Sequence, residues 1–303
     1  MHVLLAVFNG ERYLQAQLDS LAAQQDVEVV LHVSDDGSTD CSRAIVDGFA
    51  GGTIHWLPSG PRAGATANFL RLLAHAALVM APDDWVAFCD QDDIWHEDKL
   101  ARAIAFLADE PAELPLAYSA ATLLVSEDDR PIGRSPVMTR ICSFANALVQ
   151  CVAGANTLVL NRPAAQALSA ACSPDVFSHD WTCYQVVTGI GGRYLHDIRP
   201  CLRYRQHAAN EVGSNRGMRA AWSRLWQVMI GDYGQWNRRN AAVLEGLRHR
   251  LTPDSQRRFD AFQQARLAAW PWTRLAALAR SGVYRQRHSQ TLVLFIACLL
   301  GRL

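Results

Sequence analysis

Over the first 90 residues, short apolar runs alternate with longer stretches in which apolar side chains recur every three or four positions. Runs of the first kind indicate buried strands, and stretches of the second kind indicate helices with one buried face. The predicted strands cover residues 3–7, 27–33, 53–57 and 85–89, and the predicted helices cover residues 11–24, 41–49 and 66–78. Such alternation is typical of a parallel sheet with helices on both faces. The sequence therefore predicts an α/β fold.

The pattern after residue 98 is less regular. It predicts helices over residues 99–107 and 179–187 and strands over residues 116–125, 152–160, 193–196 and 202–205. From Gly217 onward the chain is helical in pattern and rich in Trp and Arg, with breaks at Pro253 and Pro271. We therefore predict a first domain of residues 1–215, divided into halves 1–110 and 111–215, and a helical extension of residues 216–303.

The charges are distributed unevenly along the chain. Its 303 residues carry no formal net charge, and 50% of them are hydrophobic, which is enough to bury a full core. Residues 1–215 hold 25 acidic and 14 basic side chains, whereas residues 216–303 hold 4 and 15. A basic segment indicates an anionic membrane surface as partner, and docking on the acidic body is the alternative. We expect no nucleic-acid partner.

The apolar stretch from Thr291 to Leu300 has ten residues. A helix that crosses a bilayer needs about 20. We therefore expect peripheral attachment through Trp and Arg side chains at the cytoplasmic face of a bacterial membrane. Eight cysteines lack any C-x-x-C spacing, and no basic segment precedes the first apolar run. This pattern predicts free thiols in a reducing compartment.

Polar residues follow each predicted strand of the first half. These four loops are Phe8-Asn9-Gly10-Glu11, Asp35-Asp36-Gly37-Ser38-Thr39-Asp40, the region of Gly64 and Asn68, and Asp90-Gln91-Asp92-Asp93. In doubly wound sheets, ligands bind at the carboxyl ends of the strands. Asp90 and Asp92 have the spacing and the hard oxygen atoms that suit Mg²⁺ or Mn²⁺. A solvated acidic turn is the alternative.

The order of these motifs resembles the inverting family 2 glycosyltransferases of the GT-A fold, over residues 1 to about 213. The resemblance implies a nucleoside diphosphate sugar donor bound by residues 1–110 and an acceptor bound by residues 111–215. The implied donor-binding residues are Phe8, Asn9, Glu11, Asp35, Asp36, Asn68, Asp90 and Arg205. The implied metal ligands are Asp92, Asp90 and His207, with Asp93 in a supporting or capping role.

Some of these residues have a direct physical interpretation. A carboxylate at Asp35 or Asp36 can accept the N3–H of a uracil or thymine base, although the same motif also builds a turn and a helix cap. Arg62 stands where the family often has Asn, and it either contacts the diphosphate or is an ordinary surface residue. A neutral His207 can bind a metal ion, and Arg205 can offset the charge of a diphosphate.

Asp180 matches the catalytic base of the resembled family, with His179 in place of the usual acidic neighbour. Inverting transfer needs one carboxylate that takes the proton of the acceptor hydroxyl. At a helix N-terminus the pKa of a carboxyl group is lowered, which keeps Asp180 ionised. The alternative is a helix cap beside a buried Trp181.

The motifs Cys-Asp-Gln-Asp-Asp-Ile-Trp, His-Asp-Trp and Tyr-Arg-Gln-His are similar to a rhamnosyltransferase-like branch of the family. They imply transfer of L-rhamnose from dTDP-rhamnose to a glycan, which we expect to be polyprenyl-linked. A transferase of other UDP-hexoses or N-acetylhexosamines is one alternative. A nucleotidyltransferase is another, although Phe8-Asn9-Gly10-Glu11-Arg12 is a poor triphosphate loop. An inactive nucleotide- or glycan-binding scaffold is the non-enzymatic alternative.

Overall fold

A mixed β-sheet forms the centre of the structure, a computed structural model that describes residues 1–58, 60, 62–171, 176–207 and 232–303. The strands are β1 His2–Val7, β2 Val29–Asp35, β3 Gly52–Trp56, β4 Trp85–Cys89, β5 Ile94–Trp95, β6 Leu116–Val125, β7 Pro131–Arg134, β8 Val159–Asn161 and β9 Arg193–Arg205. The helices of the first part are α1 Glu11–Ala22, α2 Ser42–Asp47, α3 Ala65–Val79, α4 Lys99–Leu107, α5 Phe144–Ala147, α6 Arg162–Ala171 and α7 His179–Gly189. The C-terminal helices are α8 Asp232–Gly246, α9 Pro253–Leu267, α10 Pro271–Ser281 and α11 His288–Leu299.

The strand order within the described residues is β3-β2-β1-β4-β8-β6-β9-β5, with β7 paired to β6. The pairs β1–β2, β1–β4 and β2–β3 are parallel, as the alternating pattern predicts. The short strand β8 runs antiparallel to both β4 and β6, so it converts the parallel half into a mixed sheet. All four parallel strands therefore end at one edge, where their loops meet.

Side chains of β1 alternate between the two faces of the sheet. Leu4 packs with Phe69 of α3 on one face, and Leu5 packs with Leu14 of α1 on the other. Both leucines are fully buried. A strand covered on both faces has no polar face, which is why β1 is a continuous apolar run in the sequence.

In the second half, β7 and α5 were not predicted, and the structure changes the predictions for three strands. The strand predicted over residues 152–160 is a 3-10 turn at Ala155–Thr157 followed by the three-residue strand β8. The turn forms because the hydroxyl of Thr157 and its own N–H both donate to the carbonyl of Gly154. The two strands predicted over 193–196 and 202–205 are one strand, β9, whose pairing with β6 shifts register near Pro200. Proline lacks the N–H that regular pairing requires.

The C-terminal helices share a core with the first part of the chain. Leu244, Phe259 and Leu278 are buried in one cluster with Phe144 and Trp181. The predicted boundary at residue 215 lies outside the described residues. Within the described ranges, no helix is long and apolar enough to span a bilayer, and the seven cysteines found there are free thiols. Cys172 also lies outside them.

Histidines form a stack at the face of the sheet near β1–β3. Nδ1 of His2 lies 2.7 Å from Nε2 of His32, and Nε2 of His2 lies 3.0 Å from the carboxylate of Asp84. The His32 ring also lies 5.4 Å from that of His55 and 5.3 Å from that of His75. Burial and the charges of these neighbouring histidines lower the pKa of His32 from 6.5 to about 3.

We expect this stack to make the protein less stable in acid. As the pH is lowered, the unfolded chain binds a proton at His32 at a higher pH than the folded chain does. The contribution of His32 to the free energy of unfolding is therefore complete above pH 6.5 and is lost as the pH falls towards 3. The slope from one such group is about 1.4 kcal/mol per pH unit. His32→Gln is expected to remove that part of the slope in urea unfolding measured from pH 7 to pH 4. His249→Gln, at an exposed position, should leave the slope unchanged; equal slopes in all three proteins would contradict the assignment.

Candidate active site

A cleft of about 1510 Å³ opens where the parallel strands end. Pockets for one small ligand are usually about 300–1,000 Å³, so this cleft has room for two substrates. The segments that line it include residues 6–10 at the end of β1 and after it, residues 64–66, 68 and 69 at the start of α3, residues 90–92 after β4, residues 178–181 at the start of α7 and residues 285–287 before α11.

Phe8 is held by the loop that follows β4. Its N–H donates to Oε1 of Gln91 at 2.9 Å, and its carbonyl accepts from Nε2 of Gln91 at 3.0 Å. The guanidinium of Arg62 lies 3.9 Å from the centre of the Phe8 ring, and both residues border the cleft. A Cβ at Gly10 would come within 2.5 Å of Gln91, so the absence of a side chain there lets the two loops meet.

Asn9 and Glu11 connect the first loop to the second. Oδ1 of Asn9 accepts from the N–H of Thr39 at 2.9 Å, and a carboxylate oxygen of Glu11 accepts from the N–H of Cys41 at 3.0 Å. Asn9 has a positive φ of 46°, a conformation that Asn tolerates better than most residues. Asn9 borders the cleft, whereas Glu11 does not. Glu11 can therefore contribute to donor binding only indirectly, by holding the loop that contains Cys41 in place.

The two aspartates after β2 have different surroundings. Asp35 accepts from the N–H and the hydroxyl of Ser38, and it does not border the cleft. Asp36 borders the cleft, is buried, and accepts from the N–H groups of Ala63 and Gly64 at 2.9 Å each. Asp36 is thus the better placed of the pair for contact with a nucleobase.

Asn68 is buried at the floor of the cleft. Its Nδ2 donates to the carbonyl of Ser34 at 2.9 Å, and its Oδ1 has no hydrogen-bond partner among the described residues. A buried acceptor without a partner costs free energy unless a ligand or a water satisfies it. Asn68 therefore offers an acceptor to a ligand in the cleft.

The carboxylate of Asp92 lies 2.7 Å from Nε2 of His207. The ring of His207 stacks on the ring of Tyr13, with 5.0 Å between their centres. The guanidinium of Arg205 lies 4.8 Å from the centre of the Tyr13 ring. Arg205 is buried and donates to the carbonyls of Asp92 and Glu127. The structure thus brings the predicted residues Asp92, His207 and Arg205 together. Asp90, Asp92 and His207 border the cleft, whereas Arg205 is buried behind them and does not.

Mg²⁺ or Mn²⁺ suits the chemistry of this donor set. Two carboxylates and one imidazole are hard or borderline ligands of the kind that Mn²⁺ accepts. Among the described residues, however, no three such side chains are arranged around one point as a metal centre would be. Asp92 and His207 are the two members of this set that the structure brings into contact, and a metal ion bound by both would take the place of the hydrogen bond between them.

Asp93 is buried beneath the acidic loop. It accepts from Nδ2 of Asn156 at 2.6 Å and from the N–H of Arg205 at 3.3 Å. Burial, followed by the charges of Asp92 and Asp90, raises the pKa of the Asp93 carboxyl. Lys99 lies in the same interior, with its ammonium 2.6 Å from the carbonyl of Asn156. Asp93 therefore supports the loop and does not face the cleft.

Asp180 lies in the first turn of α7 and borders the cleft. One of its oxygens accepts from the N–H of Trp181 at 2.7 Å, and the indole of Trp181 donates to the carbonyl of Ala147 at 2.6 Å. His179 is 8% exposed, and neither of its ring nitrogens has a partner among the described residues. Burial lowers the pKa of His179, so this ring is neutral at pH 7.

Several residues of the site were not identified from the sequence. Gln91, Lys99 and Asn156 act through contacts between distant segments, which leave no local pattern. Lys99 carried one signal, because it is the only lysine of the chain. The C-terminal segment also borders the cleft, through Trp236, Arg285, Gln286, Arg287, Ser289, Gln290 and Val293. Its helical pattern in the sequence gave no indication of this.

A mixed sheet with carboxylates at the strand ends and a helix-borne aspartate in one cleft is the arrangement of GT-A glycosyltransferases. TarS from S. aureus, solved with UDP-GlcNAc, has this fold with a TM-score of 0.57 and 16% identity, over 92% of this chain and 80% of that chain. The mannosyltransferase PcManGT from Pyrobaculum calidifontis, solved with GDP-Man and Mn²⁺, matches with a TM-score of 0.54 and 18% identity, over 99% and 85%.

Sequence comparison identifies the family. The model described as Glycosyl transferase family 2 matches residues 2–129. The dTDP-rhamnosyl transferase RfbG of Shigella flexneri is 30% identical over 240 residues, which are 74% of this chain and 78% of that protein. The chain therefore belongs to glycosyl transferase family 2. The predicted family, the GT-A fold and the enzymatic activity as a glycosyltransferase are confirmed.

Proposed function

We propose that the protein transfers L-rhamnose from dTDP-rhamnose to a hydroxyl of a cell-surface glycan precursor, with inversion at the anomeric carbon. The observation that carries this proposal is the shared cleft, which is bordered by the loops after β1, β2 and β4 and also by Asp180. The similarity to a dTDP-rhamnosyl transferase supports the choice of donor.

The donor-binding residues are those that border the cleft from the strand ends. Asp36 and the unpaired Oδ1 of Asn68 are acceptors that suit the N–H of a thymine or uracil base. Phe8 and Asn9 line the same side, and Asp35 and Glu11 hold the loops in place. Mg²⁺ or Mn²⁺ at Asp92 and His207, with Asp90, would offset the negative charge of the leaving diphosphate.

Asp180 acts as the base in this proposal. Its carboxylate accepts the proton of the acceptor hydroxyl while that oxygen bonds to the anomeric carbon and the bond from carbon to the diphosphate oxygen breaks. Asp180 lies in the first turn of α7, at the end of the helix where the positive pole of the dipole is located. Burial lowers the pKa of the neighbouring His179, so this residue adds no positive charge beside the Asp180 carboxylate at pH 7.

A UDP-hexose or N-acetylhexosamine transferase is the alternative enzyme, because TarS, a protein of this fold, has been solved with UDP-GlcNAc. The inactive scaffold is disfavoured, because Asp92, Asp90 and Asp180 are all present and border one cleft.

The choice of donor can be tested by ligand-induced stabilisation. A ligand at one hundred times its Kd stabilises the folded chain by about 2.7 kcal/mol. With Mn²⁺ present, we expect dTDP-rhamnose to raise the Tm more than UDP-glucose, UDP-GlcNAc or GDP-mannose at equal concentrations. A larger increase in Tm with UDP-GlcNAc would favour N-acetylglucosamine over rhamnose as the transferred sugar. No increase with any of the four nucleotide sugars would contradict a nucleotide-sugar site.

Asp180→Asn is expected to lower the rate of transfer by about a hundred-fold or more, because an amide cannot take the hydroxyl proton. The Tm increase caused by dTDP-rhamnose should remain. Asp254→Asn is the matched control, since Asp254 is also a first-turn carboxylate, on α9 and outside the cleft. Release of dTDP measured with acceptor present is the readout. Normal turnover in Asp180→Asn would eliminate this residue as the base.

We also propose that the C-terminal helices attach to the inner face of the bacterial membrane, where a polyprenyl-linked acceptor would be found. Trp270 and Trp272 at the start of α10 are 74% and 76% exposed, and Leu267 at the end of α9 is 76% exposed. Exposed Trp side chains beside many Arg residues suit the headgroup region of an anionic bilayer.

Membrane attachment can be measured by co-sedimentation with vesicles. We expect binding to vesicles that contain phosphatidylglycerol, weaker binding to phosphatidylcholine alone, and weakening by salt. Combining Trp270→Ser with Trp272→Ser should reduce binding by about ten-fold or more, because two large apolar side chains are removed from the interface. Leu78→Ser is the control, at an 86% exposed position on α3. Equal losses in the control and the double variant would argue against a specific membrane face.

A further inference from the structure

Two arginines of the C-terminal segment, Arg285 and Arg287, border the cleft. In the ranges that the structure describes, no carboxylate oxygen lies within 4.0 Å of Arg285 or Arg287, and the buried Nε of Arg285 has no hydrogen-bond partner. Another arginine of the cleft, Arg12, by contrast pairs with Glu127 at 2.7 Å. Cations that border a cleft without such pairing attract an anionic ligand.

The backbone between these arginines is held by Gln286, which is 5% exposed. Its Oε1 accepts from the N–H groups of Arg140 and Thr139 at 2.8 and 3.1 Å. Its Nε2 donates to the carbonyl of Arg140 at 3.1 Å, and its N–H donates to Oε1 of Gln150 at 2.8 Å. These hydrogen bonds of Gln286 fix the backbone of residues 285–287. The side chains of Arg285 and Arg287 therefore extend from a backbone that is held in place.

Tyr284 adds a second attachment just before the arginines. Its hydroxyl lies 2.8 Å from that of Ser143, and its carbonyl accepts from Nδ2 of Asn146 at 2.8 Å. The guanidinium of Arg140 covers its ring at 3.9 Å and donates to the carbonyl of Arg285 at 3.2 Å. The C-terminal segment is therefore bonded into the first part of the chain at the level of α5.

The same helix α5 is bonded to α7, which carries the proposed base. Oδ1 of Asn146 accepts from the hydroxyl of Tyr184 at 2.9 Å, and the carbonyl of Ala147 accepts from Trp181 and Gln185. The loops that bind the donor are bonded to one another instead, through Gln91, Asn9 and Asp36. The arginines thus belong structurally to the acceptor side of the cleft.

Helix α11 starts directly after Arg287. Its N-terminus has no side-chain cap and no acidic residue in the first turn, and Ser289 and Gln290 border the cleft. The positive end of this helix dipole adds to the charge of the two arginines. Beyond the first turn, Leu292 and Ile296 are 64% and 48% exposed, so an apolar surface continues from the cationic one.

We propose that Arg285 and Arg287 bind the phosphate or diphosphate group of the acceptor, so that the C-terminal helices supply part of the substrate site. This proposal rests on the proposed function, because it assigns the anion to the acceptor and leaves the donor diphosphate to the strand-end loops. The cleft is large enough for both molecules. The exposed apolar side chains of α11 favour a lipid-linked phosphate as the source of the anion.

The test is a binding measurement on the full chain that does not depend on turnover. Geranyl diphosphate is titrated by calorimetry into protein saturated with dTDP, which occupies the donor side. We expect Arg285→Gln combined with Arg287→Gln to weaken this binding by about ten-fold or more, since a charge-assisted contact to a phosphate is lost at each position. Arg280→Gln, at an exposed position on α10 outside the cleft, is the control and should bind as the wild type does.

Each outcome bears on the proposal. Equal affinity of the double variant and the wild type would overturn it, and so would displacement of dTDP by geranyl diphosphate. Tighter binding of geranyl diphosphate than of inorganic pyrophosphate would identify a lipid-linked source, whereas equal binding that still requires the arginines would identify the phosphate alone. The single variant Arg287→Gln, at an exposed side chain, repeats the test with no risk to folding. If dTDP does not bind, the proposed donor fails, and the same titration without dTDP still tests the arginines.

Discussion

The site depends on how the fold holds three carboxylates within four residues at the end of β4. Asp93 is withdrawn into the interior, where Asn156 and the backbone of Arg205 donate to it. These two partners come from the turn before β8 and from the end of β9. One buried hydrogen-bonded group therefore joins three segments that are distant in sequence, and a buried carboxylate without such donors would be costly. With Asp93 anchored, Asp90 and Asp92 are left beside the cleft.

Two sets of segments, each held together by its own hydrogen bonds, form the walls of the cleft. The loops after β1, β2 and β4 bind one another through side chains such as Gln91 and Asn9, and together they form one wall of the cleft. The opposite wall is built on α5 and α7, and the C-terminal helices are bonded to this part of the chain through Gln286 and Tyr284. A segment that looked like an appendage in the sequence is thus part of the wall of the site.

The parallel half of the fold was predictable because its signals are local. Buried parallel strands are continuous apolar runs, and their loops are polar, so the order of elements and the edge that binds ligands both followed from the pattern. The antiparallel additions were harder. The strand β5 has only two residues and β8 has only three, which is too short for a periodic pattern. The strand β9 has thirteen residues, but its register shift divides the pattern into two shorter pieces.

By itself, the sequence determined the family, the α/β architecture and the motifs that supply Asp92, Asp180 and His207, because residue type and spacing are enough to define them. Only the tertiary structure decided how these residues are used. It separated Asp36, which borders the cleft, from Asp35, which closes a turn, and it buried Asp93 against Asn156. It also brought Arg285 and Arg287 to the cleft. The physical reason is that a hydrogen bond or an ion pair depends on distance in space, and chain folding joins segments whose separation in sequence carries no signal.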